Sequence, residues 1–188
     1  MLEKLLRSTR SRLVLTVFGV ALLFSARHAA AAEPLVVEAI VSAPIATVWQ
    51  GFASREGYAS VGIPHAEIDL KVGGLLRVQP KAEGSLGDAD ATVSEILSFE
   101  PEHLLSVRVK QPPSGFADAR AFANTWSIVY FTPLGPDMTH VRIAGFGFTE
   151  GAASSELATF FEQDQVAQLR RLEKHYWPLC ELCKKEGK

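Results

Sequence analysis

The sequence predicts an α+β domain in which a curved antiparallel sheet wraps around one long C-terminal helix. The helix is the clearest element. Within residues 154–177, Phe161, Leu169, Leu172 and Tyr176 recur at helical spacing and share one face, which Leu157 and Phe160 widen at its start. Glu162, Gln163, Arg170, Arg171, Glu173 and Lys174 fill the opposite side. The second observation concerns the chain before this helix, where β-rich runs separated by Gly- and Pro-containing turns follow one another closely. Strands first and a long helix last make the class α+β. One helix covers only one face of a sheet, so the sheet is expected to curl, leaving room for a pocket between the two.

Residues 35–43 are rich in Val and Ile and read as the first strand. Two short helices are expected after it. Pro44 sits at the first turn of an amphipathic helix over 45–52, where its missing N–H is no loss, and Ile45, Val48, Trp49 and Phe52 share a face. Residues 54–57 turn into a second short helix or loop ending near Gly62 and Pro64. Strands follow at 66–72 and 75–79, interrupted by Gly73 and Gly74, and a polar turn covers 80–88. The next strands are 89–99 and 104–110; in the latter Leu105, Val107 and Val109 alternate with Ser106, Arg108 and Lys110. A loop opens at residues 111–115 and runs to about Arg120. Residues 122–132 and 138–149 pair as a hairpin about the turn 133–137. At the last helix Ser154 or Ser155 is the expected cap, Thr159 and Glu162 offer a second, capping-box start, and Pro178 is the stop.

Residues 1–32 read as an export signal rather than as part of the fold. Lys4, Arg7, Arg10 and Arg12 precede an apolar run over 13–24, and Ala30, Ala31 and Ala32 provide a small-residue cleavage pattern. Twelve apolar residues fall short of the ~20 that span a bilayer. Cleavage is expected after Ala32, with no stable membrane anchor remaining and a periplasmic or secreted product. Removing five basic residues and one acid from the 19 Lys/Arg and 21 Asp/Glu of the chain leaves a net charge near −6 on 156 residues. That suffices for one domain with a real core and argues against nucleic acid as a partner. Cys180 and Cys183 stand in C-x-x-C spacing after the last helix. A thioredoxin-type site would want them at a helix start, so the pair is read as a local disulfide in an oxidising compartment; free thiols, redox or metal chemistry remain alternatives.

Little else in the pattern announces chemistry. Gly73 and Gly74 lack the following helix and the Lys-Ser/Thr of a phosphate loop and read as a turn or bulge. His65, Glu67 and Asp69 alternate on a strand and share a face, read as a solvated outer one. There is no G-x-S-x-G elbow. Two carboxylates stand out as candidate catalytic groups. Glu95 shares a strand face with Val93 and Leu97, and would be buried beside Arg77, Arg108 or Arg142 if that face points inward. Asp164 lies three and four residues after Phe161 and Phe160, close to the apolar helix face, with Gln165 and Gln168 as neighbours.

Four segments in this order resemble a known family. They are residues 36–49, a strand running into an Ala-Pro helix start; residues 69–77, with Asp69, Gly73, Gly74 and Arg77; residues 91–104, where Glu100-Pro101 follows the strand; and residues 126–148, with Trp126, Tyr130, Arg142 and Phe148, closing on Leu169 to Leu172. Together they resemble the START-like or SRPBCC superfamily, in the branch named after the activator of heat-shock-protein-90 ATPase. The resemblance covers residues 35–177. It implies a helix-grip fold over an apolar cavity, in a family that includes lipid carriers, polyketide cyclases and chaperone cofactors. Where the branch often has Gly-Trp early in the last helix, this chain has Asp164 and Gln165.

The expectation is therefore an exported domain that binds a small apolar or amphipathic molecule between sheet and helix, without cofactor or metal. Trp49, Trp126, Arg142, Phe146, Phe148, Phe161, Gln168 and Leu169 are the expected ligand contacts. An enzyme of the cyclase, dehydratase or isomerase type using Glu95 or Asp164, and a protein-interaction module, are the alternatives.

Overall fold

A computed structural model describes residues 33–116 and 119–177 of the chain. The expected signal segment and the tail carrying Cys180 and Cys183 lie outside the described residues. The elements in chain order are β1 (Leu35–Val41), α1 (Ile45–Ala53), α2 (Arg55–Ser60), β2 (His65–Ile68), β3 (Leu75–Gln79), β4 (Thr92–Glu100) and β5 (Leu104–Gln111). A 3-10 turn over Ala119–Asn124, β6 (Trp126–Gly135), β7 (Met138–Phe146) and α3 (Ala152–Tyr176) complete them. The strands form one antiparallel sheet in the order β1-β7-β6-β5-β4-β3-β2. It curves around α3 as the hydrophobic pattern requires: an α+β helix-grip architecture with two short helices after the first strand.

The alternation along β1 decides which face is inside. Val37, Ala39 and Val41 turn toward the core, while Val36, Glu38 and Ile40 face solvent, Ile40 being 55% exposed. The Thr139 hydroxyl donates to the Ala43 carbonyl at 2.9 Å and fastens the end of β1 to β7. Pro44 opens α1 as expected, its carbonyl accepting from Thr47 and Val48, and Val48, Trp49 and Phe52 are buried. The Ser54 hydroxyl caps α2 by accepting from the Gly57 N–H at 3.0 Å. In the core Phe131 of β6 lies edge-on to both Trp49 and Phe52, with ring centroids 5.4 and 5.2 Å apart.

Several boundaries move from their expected positions. Residues 69–72 are not strand. They form a turn that Gly73 closes at φ 78°, a left-handed value glycine adopts freely, and both glycines bond to the backbone of Ile96. Residues 122–124 belong to the 3-10 turn rather than to β6, and α3 begins at Ala152 rather than at Ser154. Neither serine caps it. The Ser155 hydroxyl donates back to Gly151, and the Ser154 hydroxyl accepts the Thr149 N–H at 2.8 Å, tying the preceding loop to the helix. Arg171, expected among the solvated charges, reaches the rim of a cavity described below.

The apolar face of α3 is two adjoining stripes. Leu169, Leu172 and Tyr176 are buried in the packed core beneath the second half of the helix. Leu157, Phe161, Asp164, Gln168 and Arg171, also at alternating steps of four and three, line open space beside that core. A single helix thus closes the core along one stripe and roofs a cavity along the other. Among the described residues no helix is long and apolar enough to cross a membrane.

Candidate functional site

The cavity has a volume of about 200 Å3 and lies between the concave face of β3–β6, the end of α1, α2 and α3 from Leu157 to Arg171. Its floor follows from strand alternation. Leu76 and Val78 of β3, Val107 and Val109 of β5 and Val129 of β6 point into it. Phe52, Phe122, Trp126, Phe148, Phe160 and Phe161 supply aromatic wall. Phe116, Phe122 and Phe160 pack edge-to-face, with Phe116 4.8 Å from each of the other two, and draw the loop after β5 onto α3. Phe161 lies flat over Gly145, where any Cβ would sit 2.6 Å from its ring, so the missing side chain is what lets this ring approach the sheet.

A few polar groups interrupt the apolar wall. Ser94 and Thr92 of β4, Thr125 and Ser127 contribute hydroxyls. Across from them stand Tyr58, Gln168, Asp164, Gln165 and Arg171. Burial pushes the Tyr58 phenol well above its ordinary value; the neighbouring Asp164 charge adds to this, and a hydrogen bond with Gln168 partly offsets it. Tyr58 therefore stays a neutral donor. Desolvation by the surrounding wall raises the Asp164 carboxyl above its ordinary value of 3.8, and Arg171 opposes the rise. Asp164 still keeps accessible surface, and Gln165 donates to its Oδ2 at 3.0 Å. The two facts agree because that surface opens onto the mouth of the cavity, where protein crowds the carboxyl on several sides.

The structure sorts the expected site residues into two groups. Trp126, Phe148, Phe161, Asp164 and Gln168 line the cavity. The others do not, and the reasons are geometric. Glu95 points to the outer face and pairs with Lys110 at 3.3 Å, because Ser94 and Ile96, not Val93 and Leu97, are the inward residues of β4. Arg142 is on the outer face of β7, its guanidinium 5.6 Å from the Tyr130 ring. Phe146 stacks on Trp126 at 5.5 Å without reaching the cavity. Trp49 and Leu169 are spent in the packed core.

Tyr58 is the residue the sequence reading missed. Its signal was faint: an aromatic side chain with a polar tip in a six-residue helix, made inward-facing only by how α2 folds back. The acids of β2 behave as a solvated face, with Glu67 3.2 Å from Arg77 and Asp69 2.8 Å from Lys71. No metal-holding group of three or more His, Cys, Asp or Glu occurs among the described residues. A second groove, larger at about 490 Å3, lies beside α2 and β2, but it is open and edged by Arg55, Glu56, His65 and Glu67, with little apolar wall to hold a ligand.

Comparison with known proteins places the fold. The sequence matches no protein-family profile and no curated protein. Solved structures match closely in shape. The Aha1 dimer from Colwellia psychrerythraea superposes with a TM-score of 0.59 at 10% identity, over 76% of this chain and 95% of that one. Protein MLL2253 from Mesorhizobium loti gives 0.58 at 19% identity, over 76% and 96%. CalU16 from Micromonospora echinospora gives 0.54 at 17%, over 74% and 71%. The chain shares their fold, at identities that speak to fold alone.

Proposed function

We propose that this protein binds a small apolar or amphipathic molecule in the cavity beneath α3. The observation that carries the reading is the cavity itself. Protein interiors pack to crystal-like density with few voids larger than water, so about 200 Å3 of aromatic- and aliphatic-walled space is a feature in need of an occupant. Burial of ligand surface would drive binding at about 25 cal/mol per Å2, with the few polar groups setting orientation. Residues 1–32 are proposed to direct export with cleavage after Ala32, and Cys180 and Cys183 to form a disulfide in that compartment; the intact mass of the mature chain and its thiol titre test both.

The binding test is native mass spectrometry of protein purified without detergent, followed by denaturing extraction and by titration of the emptied protein with an uncharged aromatic probe. A discrete adduct released on denaturation, or saturable one-to-one uptake of the probe, is the expected result. A bare mass together with no saturable uptake overturns the reading.

One observation favours a second reading, an enzyme of the cyclase, dehydratase or isomerase type. Asp164 is a carboxyl raised by its surroundings at the mouth of an apolar cavity, the setting of a general acid. In that case Asp164→Asn retains ligand binding and abolishes conversion of the ligand.

A further inference from the structure

We infer that the molecule this cavity takes is an uncharged compound of one or two rings bearing a hydroxyl, held with that hydroxyl against Tyr58, Gln168 and Asp164. The inference rests on the binding reading and adds the class and orientation of the ligand.

Size comes first. An apolar cavity of roughly 150 Å3 accommodates one benzene ring. At about 200 Å3 this cavity has space for one further ring or a short substituent. A four-ring sterol or a long acyl chain exceeds it.

Shape agrees. Aromatic side chains approach from three directions: Phe52 from α1, Phe160 and Phe161 from α3, and Phe122, Trp126 and Phe148 from the segments bordering the sheet. Walls of this kind suit a flat ring, which they contact by face and by edge.

The distribution of charge decides the polar end. Deep in the cavity the polar groups are neutral: the Tyr58 phenol, the Gln168 amide and hydroxyls such as Ser94. The two charged groups that line it, Asp164 and Arg171, lie two turns apart on α3 toward the mouth, where Arg171 acts on the Asp164 charge. A carboxylate or ammonium carried past them, among the neutral groups, would lose its water without meeting a counter-charge there. A hydroxyl loses little. It can donate to the Asp164 carboxyl or the Gln168 carbonyl oxygen and accept from the Tyr58 O–H or the Gln168 N–H. Sites built to bond a hydroxyl discriminate strongly against the analogue that lacks it, because their own polar groups are then left unpaired.

The test is equilibrium dialysis of the purified full-length chain at pH 7 against naphthalene, 2-naphthol and 2-naphthoate, with cholesterol and palmitate as oversized probes. The expected order is 2-naphthol tightest, naphthalene at least tenfold weaker and 2-naphthoate weaker still, with neither oversized probe retained. Gln168→Leu and Tyr58→Phe, each confirmed folded by a cooperative melt, should cut the preference for 2-naphthol over naphthalene to below threefold by weakening 2-naphthol. Equal binding of naphthalene and 2-naphthol overturns the inference and leaves the binding reading standing. Preference for 2-naphthoate, or retention of palmitate or cholesterol, does the same. Failure of every probe to bind overturns the binding reading itself.

Discussion

Leu172 is the residue through which the grip of α3 on the rest of the domain can be measured. Its side chain is fully buried, and its Cδ2 lies 3.0 Å from where a Cβ on Gly51 of α1 would sit. Leu172→Ala removes roughly three methylene equivalents at about 0.8 kcal/mol each and leaves a void that the packed surroundings fill only in part. The expected loss is about 3–4 kcal/mol, or roughly 6–16 °C in Tm for a domain of this size. Burial alone makes this expectation; the contact with Gly51 makes a sharper one. In the wild-type background Gly51→Ala gains about 1 kcal/mol of helix propensity but forces a methyl against Leu172, at a cost of about 1–3 kcal/mol. In Leu172→Ala the obstruction is gone and the new methyl occupies part of the void. The double variant should therefore be more stable than Leu172→Ala alone, with a coupling of about 1–3 kcal/mol. Urea denaturation of the four proteins, with unchanged m-values, reads it. If Leu172→Ala costs less than about 0.5 kcal/mol, the range of surface changes, Leu172 does not face the core. If the two substitutions simply add, α3 does not rest on α1 where the structure places it.

Three further outcomes follow from the cavity and the sheet. Gly145→Ala should drive the Phe161 ring off the sheet into the cavity, lowering stability by about 1–3 kcal/mol and weakening uptake of an aromatic probe, as melting and dialysis would show. Asp164 has a raised carboxyl, so the folded chain holds its proton above pH 3.8, where the unfolded chain releases it; stability from this group is greatest in acid and falls as pH rises through the raised value. Asp164→Asn should then melt at or above the wild-type temperature at pH 7, the difference closing below pH 3.8; a lower Tm at pH 7 would contradict the desolvated carboxyl. Glu95→Gln should change neither probe binding nor stability beyond about 0.5 kcal/mol, since Glu95 makes a part-exposed pair with Lys110 on the far side of the sheet. A tenfold loss of binding in that variant would place the ligand on the wrong face.

Periodicity made the architecture legible. The helical spacing of Leu157, Phe161, Leu169, Leu172 and Tyr176 and the alternation of Leu105, Val107 and Val109 are local signals, written in consecutive residues and readable without knowing what each face meets. The site was legible where it shares those signals. Phe161, Asp164 and Gln168 sit at known angles on a helix whose inward side was evident, and so they were found.

Glu95 shows where local signals end. Both faces of β4 carry apolar residues, Val93 and Leu97 on one and Ile96 on the other, so alternation revealed two faces but not which was inside. That was settled by the antiparallel register with β5, which sets Glu95 opposite Arg108 on the outer surface. Tyr58 depended on the return of α2 toward α3, and Trp49 and Leu169 were diverted to the core by neighbours far away in the chain.

From the sequence alone came the α+β class, the order of its elements, the gripping helix and the family likeness, because each is a property of consecutive side chains. Only the tertiary structure divided the apolar face of α3 into a packed stripe and a cavity-lining stripe. It did so because whether an apolar surface is filled or left open depends on the volume of whatever lies opposite, and those residues come from strands and helices distant in the chain.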